Sequence, residues 1–152
     1  MQKKIMAVFG TRPEAIKLAP LLKELSSRKE FESRLCSSGQ HLEMLDGALG
    51  VFDLSLHYDL GLMRESQSLS GLTSRAMTGI SGVLEKEDPD MVLVQGDTTT
   101  AFVGALAAFY QKTPVGHVEA GLRSGDKSNP FPEEINRRLA DNLSDLYFTP
   151  TE

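Results

Sequence analysis

The sequence predicts an α/β fold in which a parallel sheet carries helices on both faces. Short apolar runs recur along the chain, and stretches with apolar residues at helical spacing separate them. Strands that alternate with helices in this way form parallel sheets. The chain has 152 residues, 40% of them hydrophobic and 24% charged, which suits one domain with its own core.

The first half predicts three strands and two helices. Residues 5–9 form an apolar run that ends at Gly10, and Pro13 suits the first turn of the helix that follows. A second strand is predicted at 31–36, a helix at 41–52, and a loop at 53–64 with a short strand near Tyr58. The apolar positions that define the first helix are Ile16, Leu18, Leu21, Leu22 and Leu25.

The second half of the chain shows the alternation of helices and strands more clearly. A helix over 66–86 ends at the turn signal Asp88-Pro89-Asp90, and a buried strand at 91–95 follows. Helix 98–111, strand 115–118, loop 120–131, helix 132–143 and strand 146–148 complete the series. Since the last predicted strand lies at the end of this chain, we expect a further helix to complete the layer.

Composition excludes several classes of protein. The formal net charge is −5, from 21 acidic and 16 basic residues, which disfavours a nucleic-acid binder. Cys36 is the only cysteine, so no internal disulfide can form, as is usual in a reducing cytoplasm. The sequence has neither a signal-like start nor an apolar run long enough for a bilayer. A cytoplasmic protein without a membrane segment is expected.

Ligands of an open parallel sheet bind beyond the carboxyl ends of its strands, so the residues there are candidates. Gly10 and Arg12 follow the first strand and could hold a phosphate at a helix N-terminus, or form a tight turn with a surface arginine. The segment 38–41 follows the second strand and could contact a sugar or simply enter a helix. Neither segment matches a dinucleotide or ATP motif.

Carboxylates follow the later strands. Asp97 is either a helix N-cap or a group facing the cleft, and three threonines after it favour the second interpretation. Alternation places His117 and Glu119 on the same side, where Glu119 could be a general acid or base or could pair with Arg123. His117 alone is more typical of a hydrogen-bonded core residue. Glu133 stands at a helix start, where acidic residues are favoured by the helix dipole.

Asp97, Glu119 and Glu133 therefore lie at the presumed active edge, a set that suits proton transfer. Glu134 is expected to pair on the surface with Arg138, four residues away. No zinc-ligand spacing and no serine or cysteine nucleophile motif occurs. A divalent ion at the acidic edge is a minor alternative.

Five segments occur in the order known from one family. They are 10–14 (GTRPE), 39–41 (GQH), 95–100 (QGDTTT), 117–123 (HVEAGLR) and 132–137 (PEEINR). Together they closely resemble the bacterial non-hydrolysing UDP-N-acetylglucosamine 2-epimerases, and the resemblance extends to the final residues 148–152. Each segment alone is weak, whereas the ordered set is specific.

The resemblance implies one half of an enzyme with two Rossmann-like domains in the glycosyltransferase-B arrangement. Residues 1–152 would be the N-terminal domain, and the C-terminal UDP-binding domain would be missing. The family interconverts UDP-N-acetylglucosamine and UDP-N-acetylmannosamine for surface polysaccharides, commonly as a homodimer, without nicotinamide or metal. The implied reaction removes the C2 proton, eliminates UDP to leave 2-acetamidoglucal, and adds UDP back.

The resemblance also assigns residues. Asp97, Glu119 and Glu133 match the catalytic carboxylates, while Arg12, Thr98, Arg123 and Arg137 would bind the substrate. Gln40, Glu43 and Arg75 would bind a second UDP-N-acetylglucosamine as an activator. We expect this chain alone to be inactive and to bind nucleotide weakly.

Three rival interpretations stay open at this point. A hydrolysing 2-epimerase would release UDP and free N-acetylmannosamine. A glycosyltransferase of the same architecture would require an acceptor. A non-catalytic nucleotide-sugar-binding domain would use its edge carboxylates only as caps and ion pairs.

Overall fold

The computed structural model describes residues 1–39 and 42–151, with side chains for all of these except 42–44. Strands and helices alternate within these ranges. The strands are β1 (Lys3–Phe9), β2 (Phe31–Ser37), β3 (Tyr58–Asp59), β4 (Met91–Gln95), β5 (Val115–Val118) and β6 (Leu146–Phe148). The helices are α1 (Arg12–Ser27), α2 (Leu42–Gly50), α3 (Leu69–Glu87), α4 (Thr99–Tyr110) and α5 (Glu133–Leu143).

The strands form one parallel sheet in the order β3-β2-β1-β4-β5-β6, which is the doubly wound, Rossmann-like order. The predicted fold class is therefore confirmed. The direction of winding reverses between β1 and β4. The loops that leave these two strands consequently flank the crevice where ligands of such sheets bind.

Two apolar clusters cover the two faces of the sheet. On one face Ala7 and Phe9 of β1 pack with Leu18 and Leu22 of α1. On the other face Met6, Val8, Val92 and Val94 pack with residues of α3 and α4, including Ile80 and Ala105. Successive residues of β1 thus enter opposite cores, as side-chain alternation in a doubly covered sheet requires.

Side-chain caps determine where two of the helices begin. Ser68 caps α3 and Thr98 caps α4, each accepting a hydrogen bond from the backbone N–H three residues later. These caps place the starts of α3 and α4 slightly later than the sequence predicts. Ile16, a predicted core position of α1, is 41% exposed. Among the described residues, no helix has the length and apolar character needed to cross a membrane.

One glycine lets α4 lie close to the sheet. A Cβ atom on Gly104 would stand 3.1 Å from Cγ1 of Val8 and 3.2 Å from Cγ1 of Val94. Both valines belong to the central strands β1 and β4. The absence of a side chain at Gly104 therefore sets the distance between α4 and the middle of the sheet.

The edge strand β6 is only partly covered. Leu146, Tyr147 and Phe148 are each about half exposed, and an apolar groove of about 420 Å³ runs between α1 and β6. The helix that we expect after this strand stays a prediction.

Candidate active site

The candidate site lies at the carboxyl edge of β1, β4 and β5, on both sides of the reversal in winding. A cavity of about 330 Å³ opens there between the N-termini of α1, α4 and α5. Helix N-termini present unpaired backbone N–H groups and partial positive charge, so this cavity suits an anionic ligand. Its lining includes Gly10, Thr11, Thr98, Thr99, Glu133 and Asn136.

Glu14 connects the β1–α1 loop to the start of α4 behind this cavity. Its side chain is only 2% exposed, and Oε2 accepts hydrogen bonds from the backbone N–H groups of Gly10 (3.0 Å) and Thr11 (2.7 Å). The Thr11 hydroxyl donates to the same oxygen, and the Thr98 hydroxyl donates to Oε1 at 2.8 Å. Burial raises the pKa of Glu14, and these hydrogen bonds oppose the rise. Glu14 therefore fixes the β1–α1 loop against the start of α4.

Asp97 follows β4 and lies beside Arg137. Its Oδ2 stands 2.8 Å from Nη2 of Arg137, and its carbonyl accepts a hydrogen bond from the Asn136 amide at 3.0 Å. Thr98, not Asp97, caps α4, so the N-cap interpretation of Asp97 is wrong. The carboxylate is instead held by Arg137, and it is not among the residues that line the cavity.

Several charges act on the Asp97 carboxylate at once. Burial, the largest cause, raises its pKa, and the neighbouring charges of Glu133 and Glu119 raise it further. Arg137 and Lys17 oppose this rise. Asp97 thus shares its electrostatic surroundings with both other predicted carboxylates.

Glu119 lies directly after β5 in a left-handed backbone conformation, with φ of 66°. Its Oε2 lies 2.6 Å from Nζ of Lys17 and accepts a hydrogen bond from the Gln95 amide at 3.1 Å. The alternative ion pair with Arg123 does not form, because Arg123 contacts Asp141 instead. Lys17 thus provides the cation beside this carboxylate.

The backbone of Glu119 also corrects the predicted alternation. His117 points toward α5, where Nδ1 lies 2.5 Å from Asp141. Glu119 reaches Lys17 on α1, which packs on the opposite face of the sheet. The two side chains do not share a side, because alternation holds only while the backbone stays extended and φ is positive at Glu119.

Glu133 and Glu134 begin α5 but occupy different surroundings. Glu133 is partly exposed and lines the cavity. Glu134 is fully buried, accepts a hydrogen bond from the Ser124 N–H at 3.0 Å, and lies 3.7 Å from Nε of Arg137. That backbone hydrogen bond lowers the pKa of Glu134. The predicted surface pair of Glu134 with Arg138 is therefore wrong.

The predicted substrate-binding residues do not all reach the cavity. Thr98 lines it, and Arg137 is held beside it by Asp97 and Glu134. Arg12 is exposed at the start of α1. Arg123 lies on the far side of the loop after β5, where Nη2 is 2.6 Å from Oδ2 of Asp141.

The predicted activator site is only partly described. Gln40 lies outside the described residues, and for Glu43 only the backbone position in α2 is given. Arg75 of α3 donates a hydrogen bond to the carbonyl of Leu62 at 3.2 Å and another to Gln67. The three residues stay a prediction.

Lys17, Glu14 and Asp141 are the functional candidates that the sequence did not reveal. Lys17 looks like an ordinary exposed lysine, and its contact with Glu119 spans 102 residues. The capping-box pattern of Thr11 and Glu14 was readable, although the pattern does not show that the glutamate is buried. Within the described part of the chain, no group of three histidine, cysteine, aspartate or glutamate residues is arranged to hold a metal ion.

Comparison with known proteins relates the chain to one family. A family model described as UDP-N-acetylglucosamine 2-epimerase matches residues 23–152. The UDP-N-acetylglucosamine 2-epimerase of Yersinia pestis is 52% identical over 149 residues, which are 98% of this chain and 40% of that protein. The chain thus spans about 40% of the length of the curated relatives that it matches.

Solved structures agree with this comparison. The MnaA protein of S. aureus, solved with UDP, is 55% identical with a TM-score of 0.94, over 99% of this chain and 39% of that one. The UDP-GlcNAc 2-epimerase of Neisseria meningitidis, solved with UDP-GlcNAc bound, is 51% identical with a TM-score of 0.94, over 97% and 40% respectively.

Proposed function

Since the chain belongs to the UDP-N-acetylglucosamine 2-epimerase family, we propose that it forms one wall of an epimerase active site. It is the N-terminal, Rossmann-like domain of a non-hydrolysing enzyme that interconverts UDP-N-acetylglucosamine and UDP-N-acetylmannosamine. The homodimer, the cytoplasmic location and the supply of a surface polysaccharide that the sequence predicts belong to the same proposal.

The reaction needs a base, an acid and a site for a departing diphosphate. A base removes the C2 proton, and the C2–H electrons form a C1=C2 double bond while the C1–O bond to UDP breaks. UDP leaves with that bonding pair, and 2-acetamidoglucal stays in the site. Addition of UDP at C1 and protonation of C2 from the opposite face give the epimer. Because protons are handled on both faces, more than one acid–base group is required.

The positions of Asp97 after β4, Glu119 after β5 and Glu133 at the start of α5 carry the proposal. Glu133 lines the cavity, and Oε1 of Glu119 lies 4.0 Å from where a Cβ atom of Gly96, the residue before Asp97, would stand. A carboxyl group whose pKa is raised by burial and by neighbouring carboxylates, as at Asp97, is suited to carry a proton between steps. Lys17 beside Glu119 and Arg137 beside Asp97 hold these side chains and balance part of their charge.

The phosphates of UDP would lie at the helix N-termini. Gly10, Thr11 and Thr98 line the cavity at the starts of α1 and α4, and Arg12 is exposed at the first of these. Since the N–H groups of Gly10 and Thr11 already donate to Glu14, the start of α4 and the Arg12 guanidinium would stabilise the negative charge that grows on UDP as it departs. Uridine contacts would come from the part of the enzyme that this chain does not contain.

A chimera tests the proposal with this chain as it stands. The chain replaces the matched 149 residues of the Yersinia pestis enzyme, whose remaining residues supply the other wall. UDP-N-acetylglucosamine is added, and the sugars are followed by NMR. Formation of UDP-N-acetylmannosamine is the expected result, and the unaltered Yersinia pestis protein serves as the reference.

The products also separate the rival activities. Free N-acetylmannosamine together with UDP would mean a hydrolysing epimerase, and transfer that depends on an added acceptor would mean a glycosyltransferase. A chimera that folds and binds UDP but changes no sugar would contradict the catalytic proposal. The 152-residue chain alone is expected to give no turnover.

A further inference from the structure

His117 is fully buried, and each of its ring nitrogens faces an oxygen atom. Nε2 lies 2.7 Å from the carbonyl oxygen of Gly96, and Nδ1 lies 2.5 Å from Oδ1 of Asp141. A carbonyl oxygen can only accept a hydrogen bond, so Nε2 must carry a proton. The state of Nδ1 then depends on whether Asp141 is ionised.

The other contacts of Asp141 favour the ionised form. Its Oδ2 accepts a hydrogen bond from the Gly121 N–H at 3.2 Å and lies 2.6 Å from Nη2 of Arg123. A carboxylate that receives donors on both oxygens is acceptor-only, so Nδ1 of His117 must also donate. The ring is then an imidazolium whose charge is balanced inside the protein by Asp141.

This pair connects the three segments that carry the candidate carboxylates. Gly96 immediately precedes Asp97, and Gly121 lies two residues after Glu119. Asp141 lies on α5, the helix that begins at Glu133. The loop after β4, the loop after β5 and the helix α5 are therefore joined at one buried point.

We propose that His117 and Asp141 form a buried imidazolium–carboxylate pair that positions Asp97, Glu119 and Glu133 relative to one another. Both side chains are buried, and the His117 ring contacts Asp141 and the Gly96 carbonyl, so both are positioning residues. The structural part of this inference stands alone, whereas its effect on turnover rests on the proposed epimerase function. Arg123 adds a second cationic donor to Asp141 from outside the pair.

The charge state is tested by ¹⁵N NMR of the histidine rings in the 152-residue chain and in the chimera. The chain has three histidines, and His41→Gln and His57→Gln assign the other two signals while His117 stays intact. In neutral buffer, both ring nitrogens of His117 are expected at imidazolium shifts. One protonated and one unprotonated nitrogen would overturn the charged pair.

Kinetics of the chimera test the positioning role. Asp141→Asn keeps the shape of the side chain but replaces an acceptor with an N–H₂ group that faces donors. We expect kcat to fall by about 100-fold, as a displacement near 1 Å does in other active sites, with KM changed less than about threefold. The change falls on kcat because the proposed phosphate contacts lie at α1 and α4, away from Asp141.

Asp145→Asn is the matched control, since Asp145 accepts a backbone hydrogen bond from Val115 at 2.9 Å. It should lower stability without lowering kcat. Equal losses of kcat in the two variants would overturn the positioning role. A wild-type chimera without turnover would instead contradict the proposed function, and the NMR result would still decide the pair. If Asp141→Asn does not fold, the wild-type NMR spectrum remains decisive.

Discussion

Glu14 offers the sharpest test of how the two loops of the site are held together. Oε2 accepts three hydrogen bonds from Gly10 and Thr11, and Oε1 accepts one from Thr98. Glu14→Ala removes all four and leaves the N–H of Gly10 buried without a partner. Glu14→Gln removes only the charge. The pair of variants therefore separates the hydrogen bonds of Glu14 from its charge.

The expected magnitudes follow from these contacts. One buried, unsatisfied backbone donor costs about 1–3 kcal/mol, and loss of the capping box adds roughly 1 kcal/mol. We thus expect Glu14→Ala to destabilise the chain by about 2–4 kcal/mol. In Glu14→Gln the amide oxygen can face the three donors, and the amide N–H₂ can donate to the Thr98 hydroxyl, which has a free lone pair. This variant should lie within about 1 kcal/mol of the wild type.

The contribution of Glu14 to the stability of the chain should change with pH in one direction. Burial raises the pKa of Glu14 above its ordinary value of 4.5, so the fold favours the protonated carboxyl group. Its stabilising contribution is complete below pH 4.5 and is lost as the pH rises through the pKa of the folded state. Glu14→Gln has no such group. Its stability relative to the wild type should therefore increase as the pH is raised through this window.

Urea unfolding of the wild-type chain and both variants, followed by circular dichroism at several pH values, measures these differences. The stabilising role of the Glu14 hydrogen bonds is refuted if Glu14→Ala lowers the free energy of unfolding by less than about 1 kcal/mol, or if Glu14→Gln lowers it as much as Glu14→Ala. The raised pKa of Glu14 is refuted if the wild type gains stability over Glu14→Gln as the pH rises.

Two further predictions concern packing and a hydrogen bond, and both are measured by urea unfolding. Gly104→Ala should destabilise the chain by about 1–2 kcal/mol, because the new methyl group would press on the side chains of Val8 and Val94. Gly82→Ala, where a Cβ atom meets no atom within 4 Å, should stabilise the chain by roughly 0.5–1 kcal/mol. Equal effects of the two substitutions would contradict the close approach of α4. Tyr58 donates to Glu87 at 2.5 Å, and this bond is the largest cause that lowers the pKa of Glu87. The resulting stability is present above pH 4.5 and is lost as the pH falls through the pKa of the folded state, so Tyr58→Phe should cost roughly 1.5 kcal/mol at neutral pH and flatten the acid side of the stability curve. An unchanged acid slope would contradict this assignment.

Much of the fold could be predicted from local patterns. Apolar runs such as 91–95 and helical spacing such as that of α1 are properties of short segments, so they are visible without the rest of the chain. The departures occur where a cap decides the boundary, as at Ser68 and Thr98. Ile16 is exposed because the buried face of α1 is centred on Ala15, Leu18 and Leu22.

The site was harder to predict because its contacts join distant segments. The carboxyl ends of the strands were sufficient to select Asp97, Glu119 and Glu133. Their partners were not visible, since Lys17 reaches Glu119 across 102 residues and His117 reaches Asp141 across 24. Glu134 looked like a surface residue, yet the loop before α5 folds its backbone N–H groups onto it.

Deuterium incorporation at C2 tests whether the proposed site transfers a proton at that carbon. The chimera with the Yersinia pestis enzyme is incubated with UDP-N-acetylglucosamine in D₂O, in parallel with its Asp97→Asn variant, and the C2 proton is followed by ¹H NMR. We expect exchange at C2 in step with formation of UDP-N-acetylmannosamine, and loss of both in the variant. Because Thr98 and not Asp97 caps α4, Asp97→Asn leaves the helix cap intact. Undiminished exchange in Asp97→Asn would contradict a catalytic role of Asp97, and epimer formed without deuterium at C2 would contradict proton transfer at that carbon.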